Sequence, residues 1–122
     1  MNDNSPIFMQ IAEKIENDII NGVYPAECLI ASTTQIAKAH GVNPATAVKA
    51  VSRLTEAEVL YKKRGIGMCV AAGAREKIFR RRKETLLNST LPALMEEGER
   101  LGISSEQMAS IIRRIGRPVH VS

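Results

Sequence analysis

Residues 32–70, STTQIAKAHGVNPATAVKAVSRLTEAEVLYKKRGIGMCV, contain the strongest local signals of secondary structure in the chain. It opens with Ser32 and, three residues later, Gln35, which is the spacing of a capping box. In that motif the two side chains satisfy two free backbone amides reciprocally, at the start of a helix. Gly41 then supplies the left-handed conformation that ends helices. The spacing therefore predicts a short helix between Ser32 and Gly41.

A second helix is predicted directly after this glycine. Asn43 is a good N-cap residue, and Pro44 suits the first helical position, where a missing N–H costs nothing. We expect this helix to run to about Ala57. The residues expected to face the core are Ala47, Val48, Val51 and Leu54.

Two β-prone runs, residues 59–61 and 68–71, follow the second helix. The residues between them are Lys62-Lys63-Arg64-Gly65-Ile66-Gly67, a basic tip with glycines suited to a hairpin. A basic hairpin alone is a weak signal. Two short helices, a tight turn and a basic hairpin, in this order, are typical of a winged helix-turn-helix that docks on double-stranded DNA.

The second helix is the candidate recognition helix. Ala45, Thr46 and Lys49, in its first turns, suit contacts with base edges in a major groove, and Arg53, one turn further on, suits the DNA backbone. In an arbitrary helix the same residues would simply face solvent; the flanking turn and wing favour DNA contact here. The tip residues Lys62–Gly65 suit the backbone or the narrow minor groove.

A longer helix is predicted before this unit, from about Pro6 to Asn21. Its apolar residues recur at helical spacing: Ile7, Ile11, Ile15 and Ile19, widened by Phe8, Ala12 and Ile20. The polar residues expected on the opposite side are Glu13, Lys14, Glu16 and Asn17. Residues 23–30, which proline interrupts, predict a turn leading to a brief strand.

Residues from Ala74 onward predict helices. A long apolar-striped segment includes Pro92, which either kinks the helix or starts a new one. Ser104 and Gln107 repeat the capping-box spacing before a final helix that ends near Gly116. Two helices of this size cannot bury such stripes alone, so we expect self-association. The basic run within residues 75–83 either faces solvent or lies near flanking phosphates.

The composition narrows the possible functions. The net charge of the chain is +4. Between residues 43 and 64, five basic and two acidic residues give a local charge of +3, as contact with phosphates requires.

Other classes of protein are not expected. No apolar stretch is long enough to span a membrane, so we expect a soluble, cytoplasmic protein. Cys28 and Cys69 lack disulfide or metal-ligand spacing and are expected to be small buried hydrophobes. No enzyme is expected, because no serine or cysteine has a general base nearby in sequence, and the two histidines, His40 and His120, lie at a predicted helix end and in the carboxyl-terminal tail. No cofactor or metal is expected either.

From Pro6 to about Lys77 the chain resembles the winged-helix domain of GntR-type bacterial transcription regulators, specifically the short YtrA-like branch. The matching pieces are Ile7-Phe8-Met9-Gln10-Ile11-Ala12, Ser32-Thr33-Thr34-Gln35-Ile36-Ala37, Asn43-Pro44-Ala45-Thr46, residues 60–68 and residues 73–77. The resemblance implies DNA contacts from the start of the first short helix (Thr33, Thr34), the recognition helix (Asn43, Ala45, Thr46, Lys49) and the wing (Lys63, Arg64, Gly65).

The chain also departs from the family pattern. Relatives usually have proline where this chain has Ala31, glycine where it has Glu58 and an aromatic residue where it has Cys69. We expect the loss of the glycine and of the aromatic ring to loosen the wing. Many relatives outside this branch have an arginine near Thr33 or Thr34, so their base specificity is not carried over.

The sequence thus predicts a mainly α fold with a small β-wing, divided into a winged helix-turn-helix (residues 5–73) and a helical dimerisation region (residues 74–122). The resemblance implies a homodimeric repressor on an inverted-repeat operator in double-stranded DNA. It also implies that the large effector-binding domain of longer branches is missing; the small-molecule effector stays unknown. The alternative is a winged-helix module that binds proteins rather than an operator.

Overall fold

A computed structural model describes residues 5–116 of the chain. Its internal contacts divide the chain after Arg80 into two compact units, which are described separately below. The predicted fold class is confirmed: helices dominate, and one two-stranded antiparallel sheet accompanies them. No helix within residues 5–116 is long and apolar enough to cross a membrane.

The first unit begins with α1, Ile7–Ile20, close to the predicted bounds. Its buried residues are Ile11, Ala12, Ile15, Glu16 and Ile19, which recur at the three- and four-residue spacing of one helical face. Glu16 is a correction, because it was expected on the solvent side. It lies between Ala12 and Ile19 on the same face and is only 4% exposed.

The helix-turn-helix follows as predicted. Helix α2 spans Thr33–His40, and α3 spans Pro44–Glu56. The capping box before α2 is present: the Gln35 amide donates to Ser32 Oγ at 3.1 Å, and the Ser32 amide donates to Gln35 Oε1 at 2.9 Å. Gly41, with φ at +64°, ends α2 in the left-handed conformation. These local motifs fix the turn that separates the two helices.

Helix α3 packs against both α1 and α2. Its buried face consists of small and branched residues: Ala47, Ala50, Val51 and Leu54. Ala47 and Ala50 are fully buried, which lets neighbouring helices approach closely. The prediction that Val48 faces the core is wrong. At 100° per residue it lies outside this face, and it is 48% exposed.

The wing consists of β1, Leu60–Lys63, and β2, Gly67–Val70, paired antiparallel with Leu60 opposite Val70 and Lys63 opposite Gly67. The brief strand predicted in residues 23–30 is reduced to one bridge, in which Leu29 pairs with Cys69. Cys69 is buried as predicted, but the same prediction for Cys28 is wrong because Cys28 is exposed. The isolated bridge leaves the backbone around Cys28 outside any regular strand.

The core of this unit gathers apolar side chains from all of its elements. Val59, Leu60 and Val70 contribute from the wing, and Ala74 and Ile78 from the beginning of α4, Ala74–Thr85. Ile78 is completely buried. The helix-turn-helix and the wing therefore share one hydrophobic core.

In the second unit, the helical chain continues beyond α4 through a π-helical turn, Leu86–Thr90, into α5, Leu91–Arg100. Pro92, in the first turn of α5, has no N–H, and its ring would clash with the carbonyl four residues earlier. The wider π turn lies directly before it and accommodates that conflict without ending the helix. The predicted alternatives were a kink at Pro92 or a new helix starting there. The structure instead has a π turn before Pro92, and α5 follows it without a side-chain cap at Thr90.

Helix α6, Ser105–Gly116, begins at the predicted second capping box. The Gln107 amide donates to Ser104 Oγ at 3.1 Å, and the Ser104 amide donates to Gln107 Oε1 at 2.9 Å. Helices α5 and α6 contact each other. Met108 packs on Gly98, where an added Cβ would clash with Met108 Cε. A glycine at position 98 therefore lets Met108 sit against the α5 backbone.

Candidate nucleic-acid interface

The leading end of α3 is open to solvent. Asn43, Pro44 and Ala45 are all exposed. Asn43 Oδ1 accepts a hydrogen bond from the Ala45 amide at 2.8 Å, so the asparagine side chain caps the helix. Pro44 occupies the first turn, where no N–H is needed. The end of the predicted recognition helix is therefore both capped and accessible.

One exposed stripe runs along α3 opposite its buried face. Ala45, Lys49 and Arg53 are spaced four residues apart, so they lie on the same side of the helix, and all three are exposed. Thr46 is half-buried and lies towards the edge of this stripe. The stripe thus changes from small and neutral at the helix start to cationic further along.

The Lys49 side chain has a specific neighbour on α1. Its Nζ lies over the Phe8 ring, 4.4 Å from the ring centroid, in a cation–π contact. Sequence reasoning placed Phe8 in the apolar stripe of α1 and did not foresee this contact. The two residues are 41 positions apart, so no local sequence pattern predicts their contact. The contact depends on the way α1 packs against α3.

The start of α2 carries Thr33 and Thr34. Thr34 is exposed and Thr33 is half-buried. The N-terminus of a helix carries a partial positive charge and unpaired amides, which favour a phosphate. The capping box uses two of the local amides, those of Ser32 and Gln35.

The wing tip is cationic and exposed. Lys62, Lys63 and Arg64 all face solvent. The Ile66 amide donates to the Lys63 carbonyl at 2.9 Å, which closes the turn. Gly65, with φ at +78°, occupies the turn position that favours glycine. Three charges are therefore held at the end of a short hairpin.

Two side-chain contacts tie the wing to its surroundings. Tyr61 Oη donates to Glu27 Oε1 at 2.6 Å. This hydrogen bond to a carboxylate favours the neutral phenol and raises the pKa of Tyr61 to about 12. At the other end, Lys77 Nζ donates to the Glu58 carbonyl at 3.1 Å. Tyr61 therefore links the wing to the segment before α2, and Lys77 links α4 to the turn that leads into β1.

Glu58 has an unusual backbone conformation for a residue with a side chain. Its φ is +62°, in the left-handed region that favours glycine. The family resemblance implies glycine at this position, and the conformation gives the physical reason. The chain therefore carries local strain where α3 turns into β1.

The predicted contact residues on α2, α3 and the wing all lie in the first unit. All are exposed except Thr33 and Thr46, which are half-buried. In the basic run after the wing, Arg75 Nε donates to the Ile20 carbonyl at 3.0 Å, and its guanidinium lies over Phe79. Within the described part of the chain, no group of three or more His, Cys, Asp or Glu could hold a metal ion.

Comparison with known proteins identifies the family. The family of bacterial regulatory proteins named gntR matches residues 8–70, just over half of the 122 residues. The chain belongs to the GntR family. Its helix-turn-helix and wing are accordingly the DNA-binding domain of a GntR-family transcription regulator.

Solved structures extend the similarity beyond this domain. A GntR family transcriptional regulator from Listeria monocytogenes is 27% identical, with a TM-score of 0.75 over 93% of this chain and 98% of its own. A GntR-family protein from Bacteroides thetaiotaomicron is 34% identical, with a TM-score of 0.73 over 90% of this chain and 96% of its own. Both alignments include the helices after the wing.

YtrA from Sulfolobus acidocaldarius, described as a GntR-family transcription factor, covers 98% of this chain and 96% of its own. At 18% identity and a TM-score of 0.55, it shows that the two proteins share a fold. The expected likeness to YtrA is thus present in the fold. No curated protein sequence matches the chain significantly.

Proposed function

We propose that this GntR-family protein is a homodimeric repressor that binds an inverted-repeat operator in double-stranded DNA. The observation that carries the proposal is the exposed, capped leading end of α3 with its stripe of Ala45, Lys49 and Arg53. A helix end of this kind enters a major groove in helix-turn-helix proteins. Since the target is chromosomal DNA, we expect the protein to act in the cytoplasm.

Each residue of the stripe suits a different kind of contact. Ala45 offers a methyl group to a thymine methyl, and Thr46 offers a hydroxyl and a methyl. Lys49 can donate to guanine or to a phosphate, whereas Arg53, further from the helix start, suits a phosphate. In this proposal α3 supplies discrimination between sequences.

The remaining predicted residues supply affinity. The wing residues Lys62–Gly65 lie along the backbone or in the minor groove, where cations are attracted to phosphates. Thr33 and Thr34 contact a DNA phosphate at the start of α2, and the side-chain amide of Asn43 lies close to the DNA backbone. These contacts position the domain without reading the bases.

Dimerisation is supported by the apolar side chains of the second unit. Within residues 81–116 only Gly98 and Met108 are buried. Six large hydrophobic side chains in this range are exposed: Leu86, Leu87, Leu94, Leu101, Ile112 and Ile115. A two-helix unit is too small to cover such residues by itself, and a second copy provides a matching apolar surface. We therefore propose that the helices of the second unit, which begins after Arg80, mediate dimerisation.

Repression follows from occupancy of an operator that overlaps a promoter, as the GntR family resemblance implies. A twofold symmetric dimer would present two recognition helices to two half-sites, so the operator is expected to be an inverted repeat. The proposal leaves the effector that releases DNA unassigned.

Binding titrations at several salt concentrations test the assignment of the contacts. Thr46→Ala and Lys49→Ala are expected to reduce the preference for operator over random DNA, because they alter base contacts. Lys63→Ala is expected to weaken binding to both and to lower the salt slope by about one unit.

The matched control is Lys14→Ala, which removes an exposed lysine on α1 that pairs with Asp18. It is expected to change neither the preference nor the salt slope. If none of the three test variants differs from this control, the proposed contacts are wrong.

A further inference from the structure

The chain contains only two phenylalanines, and each holds a cation over its ring. Phe79 holds Arg75, whose guanidinium carbon lies 4.7 Å from the ring centroid. Phe8 holds Lys49, the central residue of the exposed stripe on α3. The second contact joins a residue outside the helix-turn-helix to the candidate reading surface.

The position of Phe8 allows it to act as a fixed support. It lies in the first turn of α1, and its half-buried side chain packs against the hydrophobic core. The Lys49 side chain, by contrast, is exposed and attached by four rotatable bonds to its helix. A rigid ring thus meets a flexible cation, and the ring restricts where the ammonium group can lie.

We propose that Phe8 is a positioning residue for DNA recognition, which holds the Lys49 ammonium group in place for a base-edge contact. This inference rests on the proposed function of α3. A lysine free to move can pair with any phosphate, because it acts as a point charge. A lysine ordered before binding loses less conformational freedom when it donates to one particular base, so the ring favours discrimination over general affinity.

The test compares the wild type, Phe8→Leu and Phe8→Tyr on two duplexes. The first, used as the operator, is the sequence that the wild type enriches most from a random duplex pool, and the second is a random sequence of the same length. Leucine keeps the apolar packing but removes the ring face, so the preference for operator is expected to fall by about 2- to 5-fold, the range of an exposed cation–π contact. The salt slope is expected to stay unchanged, because the lysine charge remains. Tyrosine keeps the ring and is expected to retain the wild-type preference.

A second arm repeats Phe8→Leu in the Lys49→Ala background. If Phe8 acts through Lys49, this substitution causes no further loss of preference there. An equal loss in both backgrounds would overturn the positioning role, because Phe8 would then act through the fold. Phe79→Leu is the matched control: it removes the other cation–π contact, and no change in preference is expected.

Proton NMR of the DNA-free protein checks the contact itself. The ε-methylene protons of Lys49 are expected upfield of ordinary lysine values in the wild type and Phe8→Tyr, and at ordinary values in Phe8→Leu. Identical shifts in all three proteins would overturn the contact.

The binding results separate the two proposals. If the wild type prefers the operator but Phe8→Leu does so equally, the inference about Phe8 fails and the proposed function stands. If the wild type shows no preference for any duplex, the proposed function itself fails, and the inference about Phe8 fails with it.

Discussion

Asn43 offers a way to separate the stability of the recognition helix from its contact with DNA. Its Oδ1 accepts the Ala45 amide at 2.8 Å, and this bond is lost in Asn43→Ala. Removing an N-cap of this kind costs about 1 kcal/mol of stability. For a cooperative unit of about 60–100 residues, that loss lowers the Tm by about 4–8 °C. Thermal unfolding followed by far-ultraviolet circular dichroism measures the shift.

Two further substitutions at the same position act as controls. Asn43→Ser and Asn43→Asp keep a side-chain oxygen that can cap the helix, so both are expected to retain a Tm near the wild-type value. Asn43→Asp also places a negative charge at the leading end of α3. At about 6 Å from a phosphate in water, the repulsion is about 0.7 kcal/mol. We therefore expect Asn43→Asp to bind any duplex about 3-fold more weakly at low salt.

Either of two results would contradict these roles of Asn43. An unchanged Tm for Asn43→Ala would show that the Asn43–Ala45 hydrogen bond does not stabilise α3. Equal DNA affinity of Asn43→Asp and Asn43→Ser, measured at low salt on the same duplex, would show that the leading end of α3 does not approach the phosphate backbone.

Glu58→Gly is expected to stabilise the protein by about 0.5 kcal/mol in urea denaturation. The relief of left-handed strain exceeds two opposing effects, the added freedom of the unfolded chain and the loss of the exposed ion pair between the Glu58 carboxylate and Lys77 Nζ, 3.6 Å apart. Glu56→Gly, in the last turn of α3, should instead destabilise the protein by about 0.5 kcal/mol. If both glycine variants change the free energy of unfolding in the same direction, Glu58 is not strained. Glu27→Gln should lower the pKa of Tyr61 from about 12 towards 10.0, as read from phenolate absorbance; an unmoved titration would exclude the carboxylate as the cause. Ile112→Lys should shift the sedimenting species from dimer to monomer, and a persisting dimer would place the interface elsewhere.

Features encoded by neighbouring residues could be predicted from the sequence. Both capping boxes, the glycine that ends α2 and the start of α3 at Asn43 and Pro44 depend on spacings of three residues or fewer. Such motifs satisfy backbone groups locally, so tertiary packing has little power to override them. The helix-turn-helix and the wing could be predicted because two short helices, a tight turn and a basic hairpin occur in this order along the sequence.

Features that depend on packing could not be predicted in this way. Glu16 is buried and Val48 is exposed because the buried faces of α1 and α3 are set by what each helix packs against, and composition does not reveal those neighbours. The contact between Phe8 and Lys49 arises in the same way. The π turn before Pro92 was also missed, since sequence reasoning considered only a kink or a new start.

Selection of bound fragments from a random duplex pool by the wild-type protein shows at once whether a dimer of this protein reads DNA. We expect enrichment of an inverted repeat whose half-site centres lie about one helical turn, or a multiple of it, apart. Its preference should weaken in Thr46→Ala and Lys49→Ala. Enrichment of an asymmetric single site, or of no sequence at all, would contradict a dimer that reads DNA with the leading ends of two α3 helices.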